Sequence, residues 1–138
     1  MKLLTFQARH FGWAAFSKAL ESAPDPGPAQ KVKEVVVAFM HLESSDQGEA
    51  ERKRTFKHTL KHLKWLANKR DMTRVVLHSF THLGGDNADP EFALDFMKDL
   101  RSRLQGTGYE VWITPFGYSC EWDLSTYGES LAKVWKAI

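Results

Sequence analysis

One short loop carries the side chain best suited to catalysis or to ligand binding. His82 stands in the segment Thr81–Asp86, THLGGD, directly after a run of strand-forming residues. A Gly-containing loop after a buried strand exposes backbone N–H groups, and such groups can stabilise an oxyanion. His82 is therefore a candidate catalytic or ligand-binding residue. A polar loop side chain that is simply solvated fits the same position.

Two other reactive side chains lie toward the end of the chain. Cys120 is the only cysteine and sits in the alternating stretch Tyr118–Leu124. It is a nucleophile if the thiol is ionised and a small buried apolar group if it is not. A single cysteine excludes an internal disulfide and suits a reducing compartment. Lys133, between Ala132 and Val134, is a surface lysine on sequence grounds alone.

A basic helix is the best candidate for binding a polyanion. Residues 49–70 repeat apolar side chains every three or four positions and contain eight basic and two acidic residues. Part of this charge falls on one side of the predicted helix, where it could follow a phosphate backbone. A solvated lysine-rich face is the alternative interpretation. The residues on that side are Lys53, Lys57, Lys61 and Lys64.

The sequence gives no sign of a metal or cofactor. His58 and His62 have the i, i+4 spacing of a metal pair, but no third ligand is evident and lysines flank them. We expect both to line a solvated face. The motifs of nucleotide-binding loops, dinucleotide-binding folds, zinc proteases and serine hydrolases are all absent.

Composition indicates one globular domain. The chain has 138 residues, 43% hydrophobic and 26% charged, with a net charge of +2 that is too small to indicate a nucleic-acid partner by itself. Its longest apolar run, Val35–Met40, is far shorter than the roughly 20 residues of a membrane helix. The N-terminal apolar run Leu3–Phe6 is too short for a secretory signal, so we expect a cytoplasmic location.

Hydrophobic periodicity predicts a single α/β domain in which helices pack on a mixed β-sheet. Residues 11–16 are expected to return as a hairpin partner of the first strand, and residues 118–124 as the antiparallel partner of 109–114. The proline-rich segment Ser22–Lys31 is a predicted loop. The predicted strands span residues 2–8, 11–16, 32–42, 74–78, 109–114 and 118–124. The predicted helices span residues 49–70, 90–105 and 131–138.

The strand, helix and strand between residues 74 and 114 form a βαβ unit, which makes the two strands parallel. Ligands of such sheets usually bind in loops at the carboxyl ends of the strands. The candidate binding loops are therefore residues 79–86 and 115–120.

Several short motifs resemble the N-terminal editing domain of archaeal threonyl-tRNA synthetases. Thr81-His82-Leu83 followed by Asp86 is similar to the family's A-H-L-x-x-D, and the first residues are similar to its M-[KR]-x-L-L strand. Gly108–Val111 matches G-Y-E-V, and Pro115–Gly117 matches P-F-G. The resemblance covers essentially the whole chain.

The resemblance implies a D-aminoacyl-tRNA deacylase-like fold, a homodimer, and hydrolysis of serine wrongly esterified to threonine tRNA without a cofactor. It implies main-chain atoms and the terminal ribose hydroxyl of the tRNA as chief participants, with water attacking the ester. His82 matches the family histidine. Neighbouring residues in the matched motifs are the expected substrate-binding group: Thr81, Leu83, Phe116, Gly117 and Ser119.

This sequence departs from the family at charged positions. Ser119 and Cys120 replace a Tyr-Lys pair, and Lys133 replaces a glutamate of the last predicted helix. One possibility is that Lys133 reaches the pocket from that helix and restores the cation, while Cys120 fills space. Another is a catalytically degenerate module that binds an aminoacyl-tRNA or a free amino acid. A third is a dimeric tRNA-binding accessory protein.

A homodimer is also expected from the strands themselves. Their aromatic residues would give a sheet face enough apolar surface to pair with a second copy. The strand aromatics concerned are Phe6, Phe39, Trp112 and Trp122.

Overall fold

One six-stranded sheet organises the computed structural model, which describes residues 1–138. The strand order is β4-β3-β2-β1-β5, and β6 pairs with the first residues of β1. The strands are β1 (Lys2–Lys18), β2 (Gln30–His41), β3 (Arg74–Ser79), β4 (Glu110–Ile113), β5 (Tyr118–Thr126) and β6 (Lys133–Ala137). The helices are α1 (Glu49–Asn68) and α2 (Pro90–Gln105), with short 3₁₀ turns at Ser44–Asp46 and Ser130–Ala132.

Both helices pack on one face of the sheet and enclose the larger core. As predicted, α2 begins with Asp89 as the N-cap and Pro90 at the first helical position. The helix ends at Gly106. Leu66 of α1 and Phe96 of α2 are completely buried against the sheet. Neither helix is long and apolar enough to cross a membrane.

The predicted βαβ unit is confirmed. The pairs β2–β3 and β3–β4 are both parallel, and β2 occupies the centre of the sheet. Parallel pairing brings the carboxyl ends of three strands to one edge. The strands end there at His41, Ser79 and Ile113.

The predicted hairpin at residues 11–16 is wrong, because β1 is one continuous strand. Its pairing with β5 shifts register between Ala8 and His10, which marks a β-bulge. The extra residue shifts the alternation of side chains between the two faces of the sheet. Phe6 and Phe11, five positions apart, would otherwise lie on opposite faces, but both contact the ring of Phe39. A bulge therefore interrupts the alternation of apolar and polar residues in the sequence in the same way as a turn does.

The predicted pairing of residues 118–124 with 109–114 is also wrong. The chain leaves β4, crosses the carboxyl edge of the sheet and pairs as β5 with β1, where Trp122 lies opposite Trp13. β5 then curls over the face without helices, and the Trp122 ring lies 4.8 Å from Phe39 and 5.3 Å from His78. The residues before β5 form a crossover instead of a hairpin turn.

The predicted C-terminal helix is a 3₁₀ turn followed by strand β6. Lys133 lies opposite Phe6, and the ladder continues along β1 to Lys2. Val134 and Ile138 both pack against the main core. Residues four positions apart share a face in a strand as well as in a helix, which is why this spacing misled the prediction.

Candidate active site

A cavity of about 210 Å³ opens at the edge where β2 and β3 end. Three of the predicted substrate-binding residues line it: Thr81 from the loop after β3, and Phe116 and Gly117 from the crossover. Ser79 and Asn87 add polar groups to a wall that also contains hydrophobic side chains. The two predicted binding loops therefore meet at one cavity.

Both loops carry backbone N–H groups that no group in the protein accepts. The N–H groups of Thr81 and His82 make no intramolecular hydrogen bond, and neither do those of Phe116 and Gly117. The carbonyl of Gly117 is engaged, since it accepts from the N–H groups of Ala19 at 2.7 Å and of the next residue at 3.1 Å. Free donors on both sides of a cavity can bind a carboxylate or an oxyanion.

His82 lies beside this cavity, on the other side of the loop that forms its wall. Its side chain is exposed, and its ring meets the edge of Phe80 at a centroid distance of 5.0 Å. Phe80 in turn contacts Phe39 and Trp122, so the loop separates an aromatic cluster from the cavity. Consecutive residues of the loop thus serve opposite sides, with Thr81 on the cavity and His82 on the cluster.

A buried histidine that the sequence did not reveal as functional holds this loop. His41 Nδ1 accepts the N–H of Leu83 at 3.1 Å. Its Nε2 therefore carries the proton and donates to Asp86 O and Asn87 Oδ1, each at 2.8 Å. The amide nitrogen of Asn87 keeps no partner in the protein and remains a donor at the cavity wall. His41 and this loop are more than 40 positions apart, so no local pattern links them.

His82, Cys120, Ser119 and Leu83 do not line the cavity. Cys120 lies opposite Ala15 of β1 and shares its face of β5 with Trp122. Burial raises the pKa of the Cys120 thiol, which keeps the sulfur protonated at neutral pH and favours a space-filling role. Ser119 is exposed, and Leu83 packs on the aromatic side of the sheet.

Lys133 is not brought to the cavity, and the prediction that placed it on a helix is wrong. It begins β6, and its Nζ donates to the carbonyls of Tyr127 at 3.3 Å and Gly128 at 3.2 Å. Lys133 lies opposite Phe6, whereas Cys120 lies opposite Ala15. The path between those two positions along β1 is about 30 Å, so these two departures from the family motif do not meet.

The basic face of α1 lies apart from the cavity. Lys53, Lys57, Lys61 and Lys64 follow one side of the helix as predicted, and Lys53 pairs with Glu49 at 3.5 Å. His62 is not on the solvated face that the sequence predicted. It is buried, its Nε2 lies 3.2 Å from Thr5 Oγ1, and burial together with the Lys136 charge lowers the pKa of His62 to about 4.

No group of three His, Cys, Asp or Glu side chains is arranged to hold a metal ion. Of the two spaced histidines, His58 is exposed, and His62 directs a ring nitrogen to a hydroxyl.

The fold defines a class of small α/β domains with one curled mixed sheet. A solved structure titled c-Myc DNA Unwinding Element Binding Protein shares it with a TM-score of 0.69 at 10% sequence identity, covering 100% of this chain and 99% of that one. This confirms the predicted fold class, a single α/β domain with helices packed on a mixed sheet. The model of one family, the archaea-specific editing domain of threonyl-tRNA synthetase, matches residues 1–138. The chain belongs to that family.

Curated relatives agree with this assignment. A threonine–tRNA ligase of Staphylothermus marinus is 32% identical over 142 residues, and one of Thermococcus gammatolerans is 29% identical over 142 residues. Each alignment covers 100% of this chain and 22% of the relative. The chain therefore spans about a fifth of the length of the curated relatives it matches.

Proposed function

We propose that residues 1–138 act as one domain that hydrolyses the ester of a mischarged aminoacyl-tRNA, with serine on threonine tRNA as substrate. The observation that carries the proposal is the meeting of two loops with free N–H groups at one small cavity, in a chain of the editing-domain family. A water oxygen bonds to the carbonyl carbon and the bond to the ribose oxygen breaks. The water proton goes to that ribose oxygen, which releases serine and deacylated tRNA.

The cavity suits the aminoacyl group better than the nucleoside. At about 210 Å³ it is smaller than the roughly 300–1,000 Å³ of pockets that hold drug-sized ligands. Thr81 and Ser79 offer hydroxyl groups at the cavity wall, and Asn87 offers its free amide N–H, so we infer that they bind the hydroxyl of the serine group.

Rate acceleration in this proposal comes from positioning and from backbone donors. A single oxyanion donor is worth about 2.7–4 kcal/mol in other enzymes, and the free N–H groups beside Thr81 and Phe116 are the candidates here. His82 does not line the cavity, so we assign it the part of the substrate, or the water, that reaches past Thr81 on the other side of the loop, where it would donate or accept a hydrogen bond. Cys120 and Lys133, which the sequence also suggested as catalytic, take no part in this step.

We assign RNA binding to α1, because residues 49–70 contain eight basic side chains and only two acidic ones. If Lys53, Lys57, Lys61 and Lys64 neutralise about three phosphates, log affinity falls with log salt at a slope of roughly −2 to −3. We place the protein in the cytoplasm, where charged tRNA is used. Reversing charge at Lys57 and Lys61 should weaken tRNA binding, and unchanged affinity would leave only a solvated face.

We also propose a homodimer that uses the aromatic side of the sheet. The Trp122 side chain remains 43% exposed there, whereas Phe39 is already buried by its own chain. Burying exposed aromatic surface favours association. Light scattering should give twice the monomer mass at micromolar concentration, and a monomer mass would contradict the dimer.

The substrate assignment is tested with a panel of aminoacyl-tRNAs. Wild-type protein should release serine from threonine tRNA faster than it releases threonine. Ser79→Ala, which removes a hydroxyl from a residue of the cavity wall, should slow serine release, and the control Thr73→Ala, on an exposed loop before β3, should not. Binding of charged tRNA with no ester loss from any substrate would favour the degenerate binding module instead.

A further inference from the structure

A second, larger groove runs between α1 and the edge strand β6. Its volume is about 730 Å³, and it lies on the β6 side of α1, away from the cavity where β2 and β3 end. No acidic side chain lines it. The lining residues are Lys57, His58, Lys61, His62, Trp65, Val134, Trp135 and Lys136.

Positive charge faces this groove from both walls. Lys57 and Lys61 lie one helical turn apart on α1, and Lys136 lies across from them on β6. Ion pairs occupy other lysines of the protein, but none involves these three. Three unpaired ammonium groups around one groove attract an anion that offers several charges in a row.

An exposed indole stands among these charges. The side chain of Trp65 is 45% exposed, although the ring already rests against His62 at 6.1 Å and under the Lys69 ammonium at 5.9 Å. These contacts hold the indole without covering it. A fixed aromatic surface beside unpaired cations is the pattern by which proteins bind unpaired bases, where the ring stacks and the lysines hold the phosphates.

We propose that this groove binds an unpaired nucleotide segment of RNA. One base stacks on Trp65, and the flanking phosphates contact Lys57, Lys61 and Lys136. An acidic peptide would satisfy the lysines but has no base to stack on the indole. A duplex has its bases already stacked, so it would use only the lysines. The inference rests on the proposed function for the identity of the RNA, a tRNA, but not for the chemistry of binding.

The test compares two RNAs, a short single strand and a duplex of the same length, by fluorescence anisotropy. Trp65→Leu should weaken single-strand binding about five- to a hundredfold and leave duplex binding unchanged. Lys57→Gln combined with Lys61→Gln should weaken both and make the salt dependence shallower by about 1 to 2 in slope. Phe16→Leu, an exposed aromatic outside the groove, and Lys98→Gln, on α2, are the matched controls and should change neither.

Three results would overturn the proposal. They are equal losses for Trp65→Leu and Phe16→Leu, equal loss of single-strand and duplex binding in Trp65→Leu, and a poly-glutamate peptide that binds as tightly as the single strand. Circular dichroism of each variant identifies any loss that comes from unfolding. In that case Trp65→Phe, which keeps an aromatic ring, must retain most of the single-strand affinity.

Ester hydrolysis separates this proposal from the previous one. Serine release is measured on a short aminoacylated hairpin that ends at the acceptor stem, where Lys98→Gln, which lies outside the groove and the cavity, should keep the wild-type rate. If wild type releases none but still binds RNA through Trp65, the hydrolase proposal fails and the groove stands. If serine is released while Trp65→Leu binds RNA normally, the groove proposal fails and the hydrolase proposal stands.

Discussion

Gly117 is the residue of the cavity wall whose substitution should be most damaging. Its φ of 85° lies in the left-handed region, where a residue with a Cβ costs about 1–2 kcal/mol. A Cβ at this position would also stand 2.9 Å from Cβ of Ala23 and 3.3 Å from Cβ of Leu20. The backbone next to Leu20 cannot easily move away, because the N–H groups of Ala19 and Leu20 both donate to the Gly117 carbonyl. We expect Gly117→Ala to lower the free energy of unfolding by about 2–3 kcal/mol.

Urea unfolding followed by circular dichroism measures this loss. For a domain of this size it corresponds to a Tm lower by roughly 5–15 °C. Gly128→Ala is the matched control, because nothing lies within 4 Å of a Cβ there and its φ is not in the left-handed region. It should change stability by less than about 0.5 kcal/mol. Equal stability of wild type and Gly117→Ala would refute this reasoning about the crossover.

The remaining predictions concern buried histidines and one acidic residue. His41→Ala leaves hydrogen-bonding groups of the cavity loop unpaired, so unfolding should become easier by about 1–3 kcal/mol and serine release slower. Burial lowers the pKa of His78 to about 4, and burial with a nearby lysine does the same for His62. The pKa of histidine in an unfolded chain is near 6.5, so between pH 6.5 and 4 the unfolded chain binds more protons than the folded one. Urea unfolding should therefore show that the free energy of unfolding decreases as the pH is lowered from 6.5 to 4. A flat profile would contradict the burial of both rings. Burial raises the pKa of Glu43, but hydrogen bonds from Lys2 and the N-terminal ammonium outweigh it and lower the value to about 2. Stability from this group is present above about pH 4.5 and lost as the pH falls through 2, so Glu43→Gln should be less stable than wild type at pH 7 and equal to it near pH 2.

Local patterns were sufficient for the parts of the fold that depend on local energetics. The apolar spacing of α1 and the Asp89-Pro90 start of α2 report preferences of single segments, and both helices were predicted close to their observed bounds. The parallel pairing of β3 and β4 followed from the helix between them, because a right-handed crossover leaves few alternatives.

Strand partners were harder to predict, because alternation specifies a strand but not its neighbour. β5 and β6 both lie along β1, far from where local hairpins would place them. The bulge after Ala8 looked like a turn because an inserted residue and a turn interrupt alternation in the same way. These pairings are decided by contacts between distant segments.

The same distinction applies to the candidate site. Thr81, Phe116 and Gly117 were predicted because loops at carboxyl ends of parallel strands converge, and family motifs marked the same residues. The bonds of His41 to Leu83 and Asp86 join segments distant in sequence, so no spacing could show them. Lys133 was misplaced because its position depended on the predicted final helix, which is a strand.

The most direct test of the central proposal measures serine release from threonine tRNA that carries serine. It compares the wild-type protein with His82→Ala and Cys120→Ser. We predict that wild type releases serine, that His82→Ala is roughly ten- to a thousandfold slower, and that Cys120→Ser is nearly unchanged. His10→Ala, a partly exposed histidine of β1, should retain wild-type activity. An inactive Cys120→Ser beside an active His82→Ala, or no serine release by wild type, would contradict the account.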